Sequence, residues 1–320
     1  MGRELTQLEL LRELEPVAEE NVNRHLRMTK DWHPHDYVPW DQGRNFAALG
    51  GVDWDPEQSQ LSEVAKAAMI TNLLTEDNLP SYHREIAESF SMDGAWGTWV
   101  GRWTAEENRH GIVMRDYLVV TRGVDPVELE NARMAHMTTG YGPDHSRFEG
   151  EDFLHSVAYV TFQELATRVS HRNTGKACGD PIADRMLQRI AADENLHMIF
   201  YRNLCDAALD RAPDQAMNAI NNIVQNFEMP GAGMPNFRRN GVLMAVNGIY
   251  DLRQHLDEVV LPNLRKWRIF DRTDFTAKGE QIREDLIAYL ETLEKAAARF
   301  EEQRDRKLAR EAAKREAAAS

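Results

Sequence analysis

The sequence predicts an all-α fold: a central four-helix bundle that carries a two-metal site, with additional helices packed around it. Three observations point there. Strand-like alternation is nearly absent. Beyond Pro56, long helix-compatible segments follow one another between Gly, Pro and Asx punctuation. A Glu/His pattern recurs at a spacing that suits paired antiparallel helices.

Residues 4–29 place Leu5, Leu8, Leu11, Leu14, Val17 and Val22 at helical spacing, which predicts an N-terminal helix within residues 1–30. From Trp32 to Pro56 the text "WHPHDYVPWDQGRNFAALGGVDWDP" is rich in Pro, Gly, Asp and Trp. We read residues 31–57 as an irregular connector that packs its tryptophans onto the body. Helices over 61–90, 93–121, 151–173 and 181–211 then form a bundle region, 58–227, punctuated by "RGVDP", "GYGPDHS" and "CGDP". The stretch "EMPGAGMPNF" at 228–237 is a second breaker, and C-terminal helices follow to residue 304, one of them over 276–304. Residues 305–320 are charged on every face, hence a solvated helix end or a disordered tail. The whole reads as one helical domain.

Composition narrows the function. The 42% hydrophobic and 28% charged content is that of a globular chain rather than a disordered one. No run of about 18 apolar residues is present and the N-terminus has no apolar signal core, so we expect no transmembrane segment and a cytoplasmic location. Two cysteines, Cys178 and Cys205, cannot supply a four-thiolate zinc or iron site. A net charge of −14 argues against general nucleic-acid binding and means that an acidic partner needs a local basic patch.

The hexapeptide "AEENRH" at 105–110 returns as "ADENLH" at 192–197. With this many Glu and His, about one E-x-x-H is expected by chance, so the repeat alone decides nothing. Each copy, however, has a partner glutamate upstream: Glu76 lies 31 residues before Glu107, and Glu164 lies 30 residues before Glu194. Two antiparallel helices of about 25 residues joined by a short loop put their midpoints about 30 residues apart. The pattern therefore describes two helix hairpins, each presenting one Glu from its first helix and an i, i+3 Glu/His pair from its second. The flanks are apolar: Phe153, Leu154, Val157, Val160, Leu165 and Val169 surround Glu164, and Trp96, Trp99, Val100 and Trp103 precede Glu107. Four buried carboxylates cannot all stay ionised without compensation, and two divalent ions supply it. Carboxylate and imidazole without thiolate suit iron or manganese, and this six-ligand set is that of ferritin-like di-iron and di-manganese bundles. His25, His83, His136, His155, His171 and His255 stand outside the pattern and read as surface or capping residues.

The stretches "TEDNLPSYHREI", "WTAEENRHG", "FQELATRVSHRNTGKA" and "IAADENLHMIFY" resemble the motifs of the soluble acyl-acyl-carrier-protein desaturases, most closely the actinobacterial members, from near residue 5 to about 300. The resemblance implies a ferritin-like fold and metal ligands at Glu76, Glu107, His110, Glu164, Glu194 and His197, with Glu107 and Glu194 bridging two iron ions. Manganese or zinc are possible substitutes. It implies O2-dependent desaturation of a saturated acyl chain on acyl carrier protein, with electrons from a ferredoxin, and a homodimer. Thr167, one turn after Glu164, would aid proton delivery, back-bonding to its own helix being the alternative. Trp32, Arg109 and Asp193 would relay electrons toward His110, with Trp32 also open to a purely packing role. The basic clusters Arg238/Arg239 and Arg265/Lys266/Arg268 are candidate docking points for the acidic carrier protein. A radical-generating reductase subunit fits less well, because its tyrosine and first-ligand Asp positions are Met114 and Glu76 here. A non-catalytic or poorly metallated desaturase-like protein is the main alternative, and a ferritin-like iron-binding protein a lesser one.

Overall fold

A computed structural model describes residues 4–139, 153–229, 234 and 236–319. Among these the chain forms α-helices and short 3-10 or π turns, with no strand: α1 (Gln7–Met28), α2 (Glu63–Asp77), α3 (Leu79–Ser89), α4 (Gly94–Val120), α5 (Pro126–Thr139), α6 (Phe153–Cys178), α7 (Pro181–Arg211), α8 (Pro213–Asn226), α9 (Phe237–Val246), α10 (Leu252–Gln254), α11 (Leu261–Lys266) and α12 (Ala277–Ala319). The bundle consists of α2, α4, α6 and α7, with α6 and α7 packed along their length, α2 against α4 and α6, and α1 laid over α4 and α7.

Local sequence sets these boundaries. Thr6 and Glu9 form a reciprocal capping box that starts α1. The "CGDP" tetrapeptide turns α6 into α7 with two linking residues: Gly179 takes the left-handed conformation at φ +65, Asp180 caps the N–H of Ile182, and Pro181 opens α7. This short turn makes α6 and α7 antiparallel neighbours, as the 30-residue offset requires. The predicted single helix over 61–90 is instead two. Pro80 has no N–H to continue the ladder and disfavours helical geometry before it, so α2 ends at Asp77 and α3 begins at Leu79. Gly111 lets α4 approach this break closely, since a Cβ there would lie 2.8 Å from Asp77 Oδ1.

Helices α5 and α8, not singled out in the sequence, begin at Pro126 and Pro213; α8 buries Met217, Ile220, Ile223 and Val224 at helical spacing. In α1 the buried row is Leu10, Leu14, Ala18, Val22 and His25, while Leu8 is exposed, which rotates the predicted face. The connector is a series of 3-10 turns held by Arg122, whose guanidinium donates to Asn45 O, Val52 O and Gln58 Oε1. Trp32 is buried and Trp54 Nε1 donates to Arg122 O, but Trp40 stands exposed, so not every tryptophan of the connector packs. The C-terminal segment continues as helix to Ala319, a solvated extension of α12. Of the punctuation stretches, "GYGPDHS" lies outside the described residues, as does part of "EMPGAGMPNF".

Candidate metal centre

The middle of the bundle gathers all six residues of the doubled pattern. Glu76 comes from α2, Glu107 and His110 from α4, Glu164 from α6, Glu194 and His197 from α7, and each is at most 7% exposed. Ligand atoms of Glu76, Glu107, His110 and Glu194 lie within 4.8 Å of one another, and so do those of Glu107, Glu164, Glu194 and His197. The two groups share Glu107 and Glu194.

The polar atoms at the centre test whether the residues fit a metal pair. Glu107 Oε1, His110 Nδ1, Glu164 Oε2, Glu194 Oε1 and His197 Nδ1 are buried and have no hydrogen-bond partner. His197 Nδ1 lies 2.7 Å from Glu107 Oε1 and 3.5 Å from Glu164 Oε2, and His110 Nδ1 lies 3.3 Å from Glu194 Oε1, but none of these contacts has hydrogen-bond alignment. Buried polar atoms are ordinarily satisfied, so five orphans aimed at one point fit a pair of divalent cations. An oxygen and imidazole set without thiolate is the donor chemistry of iron, manganese or zinc.

Electrostatics without the ions agree. Burial, with the charges of Glu194 and Glu107, pushes the Glu76 carboxyl up to about 7, and burial with Glu107 and Glu194 drives Glu164 well above the carboxylate range. Against the cost of its burial, the His197 charge holds Glu107 below that range. His110 is raised above the usual imidazole range despite burial, chiefly by its hydrogen bond with Asp193, and His197 chiefly by Glu107. Protons here do in part what cations would do, so metal binding must expel them.

Around the six, several side chains hydrogen-bond to the ligand residues. His171 Nε2 is 2.8 Å from Glu76 Oε1, and the Trp103 indole donates to Glu164 Oε1 at 2.9 Å. Thr167 Oγ1 lies 3.2 Å from Glu194 Oε2 and 3.1 Å from Glu164 O, so both the site-facing and the back-bonding geometry are within reach of its single proton. Asp193 Oδ2 is 3.4 Å from His110 Nε2 and accepts from Trp32 Nε1 at 2.7 Å and Arg109 Nη2 at 3.0 Å. Arg109 also lies over the Trp32 ring, 4.3 Å from its centroid. Hydrogen bonds with His110 hold the Asp193 carboxyl down, at about 2, against the opposing effect of burial.

Two histidines read as surface or capping residues belong to the centre instead. His171 is buried against Glu76, and His25 is buried with Nε2 2.9 Å from Glu106 Oε2. His136 and His255 are likewise buried. A signal for each site histidine was present: His171 follows Glu164 by two helical turns, and His25 continues the buried row of α1. Glu106, missed as well, is the acid that precedes Glu107 as Asp193 precedes Glu194.

A cavity of about 80 Å³, partly open to solvent, reaches the centre at Glu76, Thr167 and His171, and its wall includes Met229, Phe237, Met244 and Tyr250. Arg238 and Arg239 are exposed on α9 immediately after the wall residue Phe237. Arg265, Lys266 and Arg268 are exposed around the buried Trp267, whose indole donates to Arg202 O, and that segment contributes no residue to the cavity wall. Among the described residues no helix is long and apolar enough to cross a membrane.

Residues 6–318 match the model of a family described as fatty acid desaturase. The chain is 59% identical over 315 residues to DesA1 of Mycobacterium tuberculosis, provisionally named an acyl-acyl-carrier-protein desaturase, covering 98% of this chain and 93% of that one. It is 27% identical over 305 residues to the seed-specific, chloroplastic stearoyl-acyl-carrier-protein 9-desaturase of Brassica napus, covering 87% and 73%. The X-ray structure of M. tuberculosis DesA2, provisionally titled an acyl-ACP desaturase, superposes with a TM-score of 0.70 at 34% identity, covering 85% of this chain and 98% of that one, which makes the bundle a ferritin-like helical fold. On this match along nearly the whole chain, the protein belongs to the fatty acid desaturase family and is a desaturase enzyme.

Proposed function

We propose that the protein desaturates a saturated fatty acyl chain carried on acyl carrier protein, at a carboxylate-bridged di-iron centre, with O2 as oxidant and a ferredoxin as electron donor. The observation that carries this reading is the set of five orphaned ligand atoms, with a partly apolar cavity that reaches the remaining residue of the pattern, Glu76. The names of the relatives, which specify acyl-acyl-carrier-protein substrates, supply the substrate class.

Glu76, Glu107, His110 and Glu194 would hold one ion, and Glu107, Glu164, Glu194 and His197 the other. When bound, the two irons supply reduction of O2 to water coupled to the removal of two hydrogens from adjacent methylenes, with two electrons and two protons drawn from outside. The protein's own residues do the rest. Met229, Phe237 and Met244 offer apolar surface to an acyl chain and exclude water from the path to Glu76. Asp193 accepts the Nε2 proton of His110 and so fixes the tautomer that turns Nδ1 inward. Thr167 holds a proton at Glu194 Oε2, available to the centre. Trp32 and Arg109, joined to Asp193, give electrons a route from the connector to His110. Arg238 and Arg239 are positioned to meet an acidic carrier beside the cavity wall.

The test is to load the chain with ferrous iron and supply acyl carrier protein charged with saturated chains, ferredoxin, its reductase and O2. Loss of two mass units from the acyl group supports the reading. Two bound irons with every chain length returned unaltered would overturn it.

A further inference from the structure

We propose that Glu106 is a positioning residue for His197, the counterpart on the second ion's side of Asp193 for His110, with His25 and Arg102 fixing its carboxylate. The proposal deepens the two-metal reading above and rests on it.

The geometry crosses over between the two hexapeptides. The acid preceding the bridging glutamate of the first copy, Glu106, meets the histidine of the second: Oε2 lies 2.9 Å from His197 Nε2. The acid preceding the bridging glutamate of the second copy, Asp193, meets the histidine of the first. Each acid is also paired with the arginine four residues before it on its own helix, Arg102 with Glu106 and Arg189 with Asp193. The repeat thus writes an acid before each bridging Glu because each half of the bundle orients the imidazole of the other half.

The consequence for His197 is chemical. Glu106 Oε1 accepts from Arg102 Nε at 2.6 Å and Oε2 lies 2.9 Å from both His25 Nε2 and His197 Nε2, so the arginine-paired carboxylate faces the His197 imidazole as an acceptor. His197 Nε2 must therefore carry the proton, which leaves the Nδ1 lone pair facing Glu107 and Glu164, where an ion would sit. His25 locks the arrangement, with Nε2 2.9 Å from the same Oε2 and its ring stacked on His197 and edge-on to Trp99.

A third metal site at His25, Glu106 and His197 is the competing reading, since their ligand atoms also cluster. It fails on occupancy. Glu106 Oε2 already faces two imidazole Nε2 atoms at 2.9 Å each, and Oε1 accepts from Arg102 Nε at 2.6 Å, so a cation would have to displace these contacts beside a fixed positive charge.

The experiment titrates the full-length, metal-free chain with Co2+ alone, reading stoichiometry and visible absorption. Wild type is expected to take two ions, and Glu106→Gln to bind one of them about 10- to 100-fold more weakly. Added to His110→Ala, Glu106→Gln should weaken the remaining ion; added to His197→Ala it should change nothing more. Glu106→Asp, which keeps the carboxylate, should fall between wild type and Gln and gives a second reading if the Gln variant folds poorly. Wild-type binding of both ions by Glu106→Gln, or an equal further loss in the His197→Ala background, would overturn the assignment. Fewer than two ions on wild type would overturn the two-metal reading itself, a result that does not involve the variant.

Discussion

The indole N–H of Trp32 donates to Asp193 Oδ2 at 2.7 Å, joining the irregular connector to the centre of α7 across 161 residues of sequence. Asp193 in turn faces His110, so a residue in the surface-lying connector is two hydrogen bonds from the candidate centre. Trp32 is open to a packing role or a relay role, and its burial serves the first while the bond to Asp193 serves the second.

Trp32→Phe separates the two. The ring and most packing are kept, while the donor to a charged carboxylate is lost, at a stability cost of about 1.5–3 kcal/mol. Turnover driven by ferredoxin should fall by about 10-fold or more, while reduction of the loaded protein by a small chemical reductant stays at the wild-type rate. Equal loss with both reductants would make Trp32 a packing residue only.

Thr167→Val removes one hydroxyl at nearly constant volume. Stability should change by about 1 kcal/mol, and metal binding should persist. The hydroxyl's place at Glu194 predicts that less acyl product forms per O2 consumed, with Thr167→Ser restoring the ratio. An unchanged ratio in the Val variant would leave Thr167 with back-bonding alone.

Metal should stabilise the fold, because ions bind the assembled centre and not the unfolded chain. At about 100 times the dissociation constant the gain is about 2.7 kcal/mol, which for a chain of this length corresponds to a rise in Tm of about 4 °C. Anaerobic ferrous iron or Mn2+ followed by calorimetry checks this, and the rise should shrink in Glu107→Ala. A Tm that ignores metal would count against the centre.

His255 sets a pH dependence away from the centre. Burial lowers its pKa from 6.5 to about 4, it shares a 2.8 Å hydrogen bond with Tyr250 Oη, and it stacks on Phe227. The unfolded chain therefore takes up the proton first as pH falls. Its contribution is fully present above pH 6.5 and is lost progressively toward pH 4, with a ceiling of about 3 kcal/mol. In denaturant melts, His255→Gln should show a shallower decline than wild type over that window; parallel declines would contradict the assignment.

Much of this was legible in the sequence because the site is written on regular helices. The offsets of 31 and 30 residues required only that two hairpins have short turns, and Gly179 with Asp180 supplies one of them. What escaped was set by tertiary contact. Glu106 sits in the same hexapeptide as Glu107, yet only the packing of α1 beside α4 and α7 reveals that it joins His25 to His197. The break at Asn78 depended on Pro80, a signal present but outweighed by the apolar run before it. Helix α5 announces itself by its opening proline rather than by a hydrophobic face, whereas α8 opens on a proline and also carries a buried row, Met217, Ile220, Ile223 and Val224.

The central claim is that the two copies of the pattern build one centre. Titrating the metal-free chain anaerobically with isotopically enriched ferrous iron and recording Mössbauer spectra tests it most directly. The account predicts saturation at two ferrous ions per chain, with Glu107→Ala or Glu194→Ala disturbing both, because each carboxylate is shared. Saturation at one ion or none, or a variant of either bridging glutamate that leaves one ion's spectrum untouched, would contradict it.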